Sequence, residues 1–130
     1  MTAMTPALDD TKSILADLIA FPSVSADSNL DLIDYAATRL EDCGARIEIS
    51  SDPGGTKANL YATLGPDEGG GIVLSGHTDV VPANANEWSS DPFQMRDAGE
   101  RLYGRGACDM KGFVAAALAM APHYAQLNLS

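Results

Sequence analysis

The sequence lacks most features that mark secreted, disulfide-stabilised or membrane-spanning proteins. Its 2 cysteines, Cys43 and Cys108, are too few for a disulfide framework, and their spacing matches no zinc-knuckle or redox motif. Its longest apolar run, residues 113–121, is far shorter than the roughly 18 residues that a membrane-spanning helix needs. We therefore predict two reduced thiols and no contact with a membrane.

Basic residues are also scarce. There are 8 Lys and Arg against 18 Asp and Glu, a formal net charge of −10. Such a field repels phosphate backbones, so no nucleic-acid partner is expected, and most of the acidic residues are interpreted as solvated surface. The amino terminus shows neither the basic stretch nor the apolar segment of a signal peptide, which predicts a cytoplasmic location.

No repeat, low-complexity segment or Pro/Ser-rich linker divides the 130 residues, which are therefore interpreted as one domain. Helical periodicity predicts a first helix from Thr11 to Pro22 and a second from Ser28 to Gly44. The apolar faces of these two helices are formed by Ile14, Leu15, Leu18, Ile19, Leu30, Ile33, Ala37 and Leu40.

The middle of the chain has strand patterns. Residues 46–49 and 59–64 alternate between apolar and polar, which predicts a hairpin or meander. Residues 72–74, Ile-Val-Leu between glycines, predict a strand covered on both faces at the centre of a sheet. Residues 101–103 predict another short strand. With the flanking helices, this pattern indicates an α/β fold.

A third helix is predicted after Asp109, which stands where an N-cap residue would. It contains the apolar residues 113–121 and is expected to be interrupted by Pro122.

The strongest chemical signal is Ser75-Gly76-His77-Thr78-Asp79, at the carboxyl end of the predicted central strand. Residues two apart in extended backbone point the same way, so His77 and Asp79 can act together. A neutral imidazole is a good zinc ligand, and a nearby carboxylate shares the metal or sets the ring's tautomer. The alternative is a hydrogen-bonded structural histidine with Asp79 in a turn before Pro82.

A second signal lies in residues 104–112, where glycines flank Asp109 at the predicted helix start. The Asp109 carboxylate could bridge two cations, or it could simply cap the helix. The segment lacks the third glycine of a nucleotide-binding loop. Cys108 as a nucleophile would need a positioned base, so a packed thiol is favoured, and His123 is interpreted as a surface residue.

Three blocks in register together resemble the M20 metallopeptidase family. They are residues 75–82 (SGHTDVVP), residues 88–93 (WSSDPF) and residues 102–113 (LYGRGACDMKGF).

The resemblance implies a three-layer α/β/α zinc-hydrolase fold, with residues 1–130 as the amino-terminal part of the catalytic, metal-binding domain. It implies that His77 is a ligand of one zinc, that Asp109 bridges two zincs, and that Asp79 is the catalytic acidic residue that orients the histidine. It further implies a cis peptide bond between Asp109 and Met110.

By the same resemblance, the complete protein hydrolyses the amide bond of an N-acyl amino acid. The sequence of residues 108–113 is most similar to the acetylornithine deacetylase branch, which implies conversion of N2-acetyl-L-ornithine to L-ornithine and acetate in arginine biosynthesis. Succinyl-diaminopimelate desuccinylases and other aminoacylases or peptidases of the family are alternatives, and so is a non-catalytic, truncated binding module. Cobalt or manganese could replace zinc.

The family's adjacent Glu-Glu pair, its further carboxylate ligand and its last histidine find no match in these 130 residues. Neither does the lid domain through which the family forms homodimers. We therefore expect the 130-residue chain alone to have no appreciable turnover. Residues that bind substrate are not assigned, because Arg105 and Lys111 could attract a substrate carboxylate or pair with surface acids.

Overall fold

The fold was analysed in a computed structural model, which describes residues 4–127. Its elements, in chain order, are α1 Met4–Ala20, α2 Leu30–Asp42, β1 Arg46–Ser51, β2 Ala58–Thr63, β3 Arg96–Asp97, β4 Leu102–Tyr103 and α3 Gly112–Ala125. None of the described helices has the length and hydropathy required to cross a membrane.

Helix α1 begins at Met4, earlier than the predicted Thr11, and ends at Ala20. It ends there because the residue before a proline is disfavoured in helical conformation, and Phe21 precedes Pro22. The predicted apolar face is confirmed, since its members are at most 4% exposed: Ile14, Leu15, Leu18 and Ile19.

Helix α2 runs from Leu30 to Asp42, close to the predicted bounds. The Ser28 hydroxyl accepts a hydrogen bond from the Leu30 N–H at 3.2 Å, and Gly44 follows the helix with φ +88°. The predicted face is correct in part: Ile33 and Ala37 are buried, Leu30 and Leu40 are half-buried, and Leu32 and Ala36 are also buried.

The predicted hairpin is confirmed. β1 and β2 pair antiparallel, from Arg46 opposite Thr63 to Ser51 opposite Ala58. The Asn29 side chain, just before α2, accepts from the Ala58 N–H and donates to the Ala58 carbonyl, both at 2.9 Å. This pair of hydrogen bonds joins the start of α2 to the start of β2.

The core lies where α1 and α3 pack against each other, with α2 alongside. Its α3 members are Ala115, Leu118 and Ala119, and small alanines allow the helices to approach closely. The prediction that Pro122 interrupts α3 is wrong, because the helix continues to Ala125. Burial of the apolar residues before Pro122 offsets the loss of one backbone hydrogen bond.

The predicted central strand at residues 72–74 is not formed in the part of the chain that the structure describes. Ile72, Val73 and Leu74 are 91%, 70% and 52% exposed, and no described strand pairs with them. An apolar run becomes a buried strand only when neighbouring strands supply hydrogen bonds and cover both faces. In the described residues, the groove beside this run is open, with the hairpin on one side and α3 on the other.

The predicted strand near residues 101–103 is present as β4, which pairs antiparallel with β3. Lys12 of α1 donates to the Asp97 carboxylate at 3.0 Å, which connects this small ribbon to α1. The chain then enters residues 104–112.

A glycine is required at position 106, where residues 104–112 pack against Val80. Its φ is +81°, and a Cβ atom there would lie 2.5 Å from Val80 Cγ1. We expect Gly106→Ala to lower the free energy of unfolding by about 2–4 kcal/mol, because backbone strain and steric overlap add. Urea unfolding followed by circular dichroism measures this loss.

Gly99 provides the matched control. Its φ of +82° is nearly the same, but an added Cβ would meet nothing within 4 Å. Gly99→Ala is expected to lower the free energy of unfolding by about 1–2 kcal/mol, because only backbone strain and no steric overlap contributes. Equal losses in the two variants would contradict the inferred overlap with Val80.

Candidate metal site

His77 and Asp79 lie on an extended segment that is held against the loop after α1. The Val80 N–H donates to the Ser23 carbonyl at 2.9 Å, and the Ser25 N–H donates to the Val80 carbonyl at 3.0 Å. These two hydrogen bonds form a short parallel bridge. The bridge fixes the end of the segment that carries both candidate residues.

The other end of the segment packs against the start of α3. A Cβ atom on Gly76 would lie 3.2 Å from both Met110 Cε and Val114 Cγ2, so a glycine permits the close approach. The His77 N–H also points at Met110 Sδ, 3.4 Å away. This packing brings His77 next to Asp109.

Asp109 is presented by an irregular helical turn, Ala107–Lys111. Its backbone is not helical (φ −127°, ψ 94°), and its peptide bond to Met110 is cis, as the resemblance implied. The prediction that Asp109 caps α3 is wrong, because Lys111 occupies the capping position. The turn directs the Asp109 carboxylate outward, where the side chain is 86% exposed.

The three predicted site residues come together around one imidazole ring. His77 Nδ1 lies 3.2 Å from Asp79 Oδ1 and 3.1 Å from the Asp79 carbonyl, while His77 Nε2 lies 3.0 Å from Asp109 Oδ1. Acceptor oxygens therefore lie at both ring nitrogens, so Asp79 favours a proton on Nδ1 and Asp109 favours one on Nε2. The tautomer with the proton on Nδ1 leaves the Nε2 lone pair available to a metal ion beside Asp109.

The local charges follow from these contacts. The pKa of His77 is raised, first by its hydrogen bond to the Asp79 backbone and then by the Asp109 carboxylate. The pKa of Asp79 is lowered, first by the hydrogen bond that the Ser25 hydroxyl donates and then by His77. Asp79 is therefore a carboxylate at neutral pH.

The donor atoms fit a metal ion such as zinc in type and direction. Imidazole nitrogen and carboxylate oxygen are both common zinc ligands, and His77 Nε2 and Asp109 converge at an accessible point. Asp79 lies at the opposite edge of the ring, where it can orient His77 without reaching the same point. Within residues 4–127, no group of three or more His, Cys, Asp or Glu side chains forms a metal cage.

Among the described residues, the side chains of the other candidates considered from the sequence make no hydrogen bond to His77, Asp79 or Asp109. The prediction that Cys108 is a packed thiol is wrong, because the residue is exposed, whereas His123 is exposed as predicted and Cys43 is half-buried after α2. The Arg105 guanidinium lies 5.1 Å from the centre of the Trp88 ring. The suggestion that Lys111 attracts a substrate carboxylate or pairs with a surface acid is wrong, because its side chain is buried.

Sequence reasoning missed two residues that support the site. Ser25 donates to the Asp79 carboxylate, and Lys111 anchors the turn that carries Asp109. The polar-apolar-polar pattern of residues 23–25 is a short strand signal that could have indicated the first contact. No sequence pattern indicates the burial of Lys111.

Comparison with known sequences shows which proteins the chain resembles. The sequence model of peptidase family M20/M25/M40 matches residues 73–130, which include His77, Asp79 and Asp109. The chain is 43% identical over 105 residues to an acetylornithine deacetylase of Shigella sonnei. It is 45% identical over 109 residues to an acetylornithine deacetylase of Yersinia pseudotuberculosis. Each alignment covers 75% of this chain, and the chain spans only 27–28% of the length of these relatives.

Comparison with solved structures shows which known fold the chain resembles. Human carnosine dipeptidase 1 superposes with a TM-score of 0.74 and 28% sequence identity, covering 94% of this chain and 29% of that protein. The predicted α/β class is thereby confirmed. The predicted likeness to the M20 family and, within it, to acetylornithine deacetylases is confirmed as well.

Proposed function

Because residues 73–130 carry the sequence of peptidase family M20/M25/M40, we propose that this chain forms the amino-terminal, metal-binding part of a metal-dependent amidohydrolase. The observation that carries the proposal is the convergence of His77 Nε2 and Asp109 Oδ1, 3.0 Å apart and open to solvent. Zinc is the metal proposed, with two ions in the complete protein. Cobalt and manganese are alternatives that the same donors accept.

Bound zinc would supply Lewis acidity toward an amide carbonyl and toward water. Two residues of this chain would supply donor atoms to the zinc. His77 offers the lone pair of Nε2, since its Nδ1 proton is held by Asp79. Asp109 offers an exposed carboxylate that has a second oxygen free to reach a second ion, the bridging role proposed for it.

We propose an N-acyl amino acid as the substrate, most specifically N2-acetyl-L-ornithine. The support is the 43–45% identity to acetylornithine deacetylases over 75% of the chain. Hydrolysis would yield L-ornithine and acetate, a step of arginine biosynthesis. An N-succinyl substrate is the alternative. A cytoplasmic location and a homodimer formed outside residues 1–130 belong to the same proposal.

A chimeric enzyme tests the activity. The 75% of this chain that aligns with the Yersinia pseudotuberculosis acetylornithine deacetylase replaces the corresponding segment of that enzyme, where the two are 45% identical over 109 aligned residues. We expect the metal-loaded chimera to hydrolyse N2-acetyl-L-ornithine faster than N-succinyl-L,L-diaminopimelate. If a folded, metal-binding chimera prefers the succinyl substrate, the N-succinyl alternative is favoured over N2-acetyl-L-ornithine. If it cleaves neither substrate, the amidohydrolase assignment is contradicted.

The isolated chain gives a second test. Two described donors are fewer than the three or more protein ligands typical of zinc enzymes, and the family's general-base glutamate has no match here. We therefore propose that the purified 130-residue chain binds zinc without measurable hydrolysis. Turnover by the chain would contradict this, and absence of any metal binding would favour a non-catalytic binding module.

A further inference from the structure

Ser25 contacts the candidate site from outside the three motif blocks. Its hydroxyl donates a hydrogen bond to Asp79 Oδ2, while the other carboxylate oxygen, Oδ1, lies 3.2 Å from His77 Nδ1, which is also 3.1 Å from the Asp79 carbonyl. Each oxygen of the Asp79 carboxylate therefore has its own partner. A carboxylate held at both oxygens has a fixed plane, and this plane sets the direction in which His77 donates.

The position of Ser25 is itself determined by several contacts, although the residue is exposed. Its N–H donates to the Val80 carbonyl at 3.0 Å, and its carbonyl accepts a hydrogen bond from Lys57 Nζ. Two residues earlier, the Ser23 hydroxyl donates to the Thr78 carbonyl at 2.7 Å. The loop is thus joined to residues 78–80 at Ser23 and at Ser25 itself, so the hydroxyl has little freedom to move away from Asp79.

We propose that Ser25 is a positioning residue for the metal site. Its hydroxyl fixes Asp79, Asp79 holds the Nδ1 proton of His77, and His77 thereby presents Nε2 toward Asp109. The proposal rests on the proposed function, because it gives His77 the role of a metal ligand. It assigns Ser25 no contact with metal or substrate.

The effect on the ring can be measured without metal. The chain has 2 histidines, and the exposed His123 serves as an internal reference. Nitrogen-15 correlation spectra of the metal-free chain at about pH 9, where imidazole is neutral, report which ring nitrogen carries the proton. Because Asp79 at Nδ1 and Asp109 at Nε2 compete for the ring proton, we expect the fraction of the Nδ1–H tautomer of His77 to be lower in Ser25→Ala than in the parent chain.

The effect on metal is measured by titrating the 130-residue chain with Co²⁺. Loss of a group that supports a ligand histidine weakens metal binding by about 10–100-fold. Because Ser25 acts through Asp79, we expect the smaller change of about 3–10-fold for Ser25→Ala. Ser25→Thr retains a hydroxyl and is expected to remain within about twofold of the parent chain.

Ser28→Ala is the matched control, because Ser28 lies in the same loop and, among the described residues, its hydroxyl has a hydrogen bond only with the Leu30 N–H at the start of α2. It should leave both the His77 tautomer and Co²⁺ affinity unchanged. Circular dichroism verifies that each variant is folded.

If Ser25→Ala is folded and shows the parent tautomer and affinity, the proposal is overturned. An equal loss in Ser25→Thr and Ser25→Ala would also overturn it, because the loop and not the hydroxyl would then be responsible. Failure of the proposed function is a different result. In that case His77→Ala leaves Co²⁺ binding intact, while the metal-free tautomer still responds to Ser25→Ala.

Discussion

Replacing His77 with alanine is expected to lower the affinity of the chain for Zn²⁺ by at least about 100-fold, because loss of a ligand exceeds the 10–100-fold cost of losing a supporting residue. His77 Nε2 and Asp109 are the two donors that converge at one accessible point. Without the imidazole, a single exposed carboxylate remains, and one carboxylate does not hold zinc in competition with water. Isothermal titration calorimetry of the chain with Zn²⁺ measures the change.

His123→Ala is the control for this prediction, because it removes the other histidine, an exposed residue of α3. We expect it to bind Zn²⁺ like the parent chain. Asp109→Asn should resemble His77→Ala, since it keeps the shape of the side chain and removes its charge. Loss of binding in His123→Ala combined with normal binding in His77→Ala would refute the assignment of the site.

Replacing Lys111 with alanine is expected to reduce the free energy of unfolding by about 3–5 kcal/mol. The side chain is 1% exposed, and its ammonium group donates to the Leu18 carbonyl at 2.7 Å and to the Phe21 carbonyl at 2.8 Å. Leu18 is in the last turn of α1, where backbone carbonyls have no partner within the helix, and Phe21 directly follows the helix. Burial also lowers the pKa of Lys111 to about 8.

Lys111→Met separates the two contributions. Methionine keeps most of the buried volume but cannot donate, so the expected loss falls to about 2–3 kcal/mol. Urea unfolding of the three chains under identical conditions gives the comparison. If Lys111→Ala unfolds within about 1 kcal/mol of the parent chain, the ammonium group does not hold the end of α1 as described.

The elements that were correctly predicted have local causes. Helix α1 was predicted from apolar residues at helical spacing and a terminating Phe21-Pro22, and the β1–β2 hairpin from the alternation of residues 46–49 and 59–64. The wrong predictions of a strand at residues 72–74 and of a helix cap at Asp109 have non-local causes. A strand needs partners that come from elsewhere, and Asp109 takes a non-helical backbone within a turn anchored by Lys111.

The sequence by itself determined the identity of the candidate site. The motifs at residues 75–82 and 102–113 carry His77, Asp79 and Asp109, and their residue types already indicate metal chemistry. Only the tertiary structure decided which atoms meet. It placed Asp79 at Nδ1 and Asp109 at Nε2 of the same ring, and it brought Ser25 to the far side of Asp79. The physical reason is that hydrogen bonds between residues 54 positions apart depend on how the loop after α1 packs, and no local pattern encodes that distance.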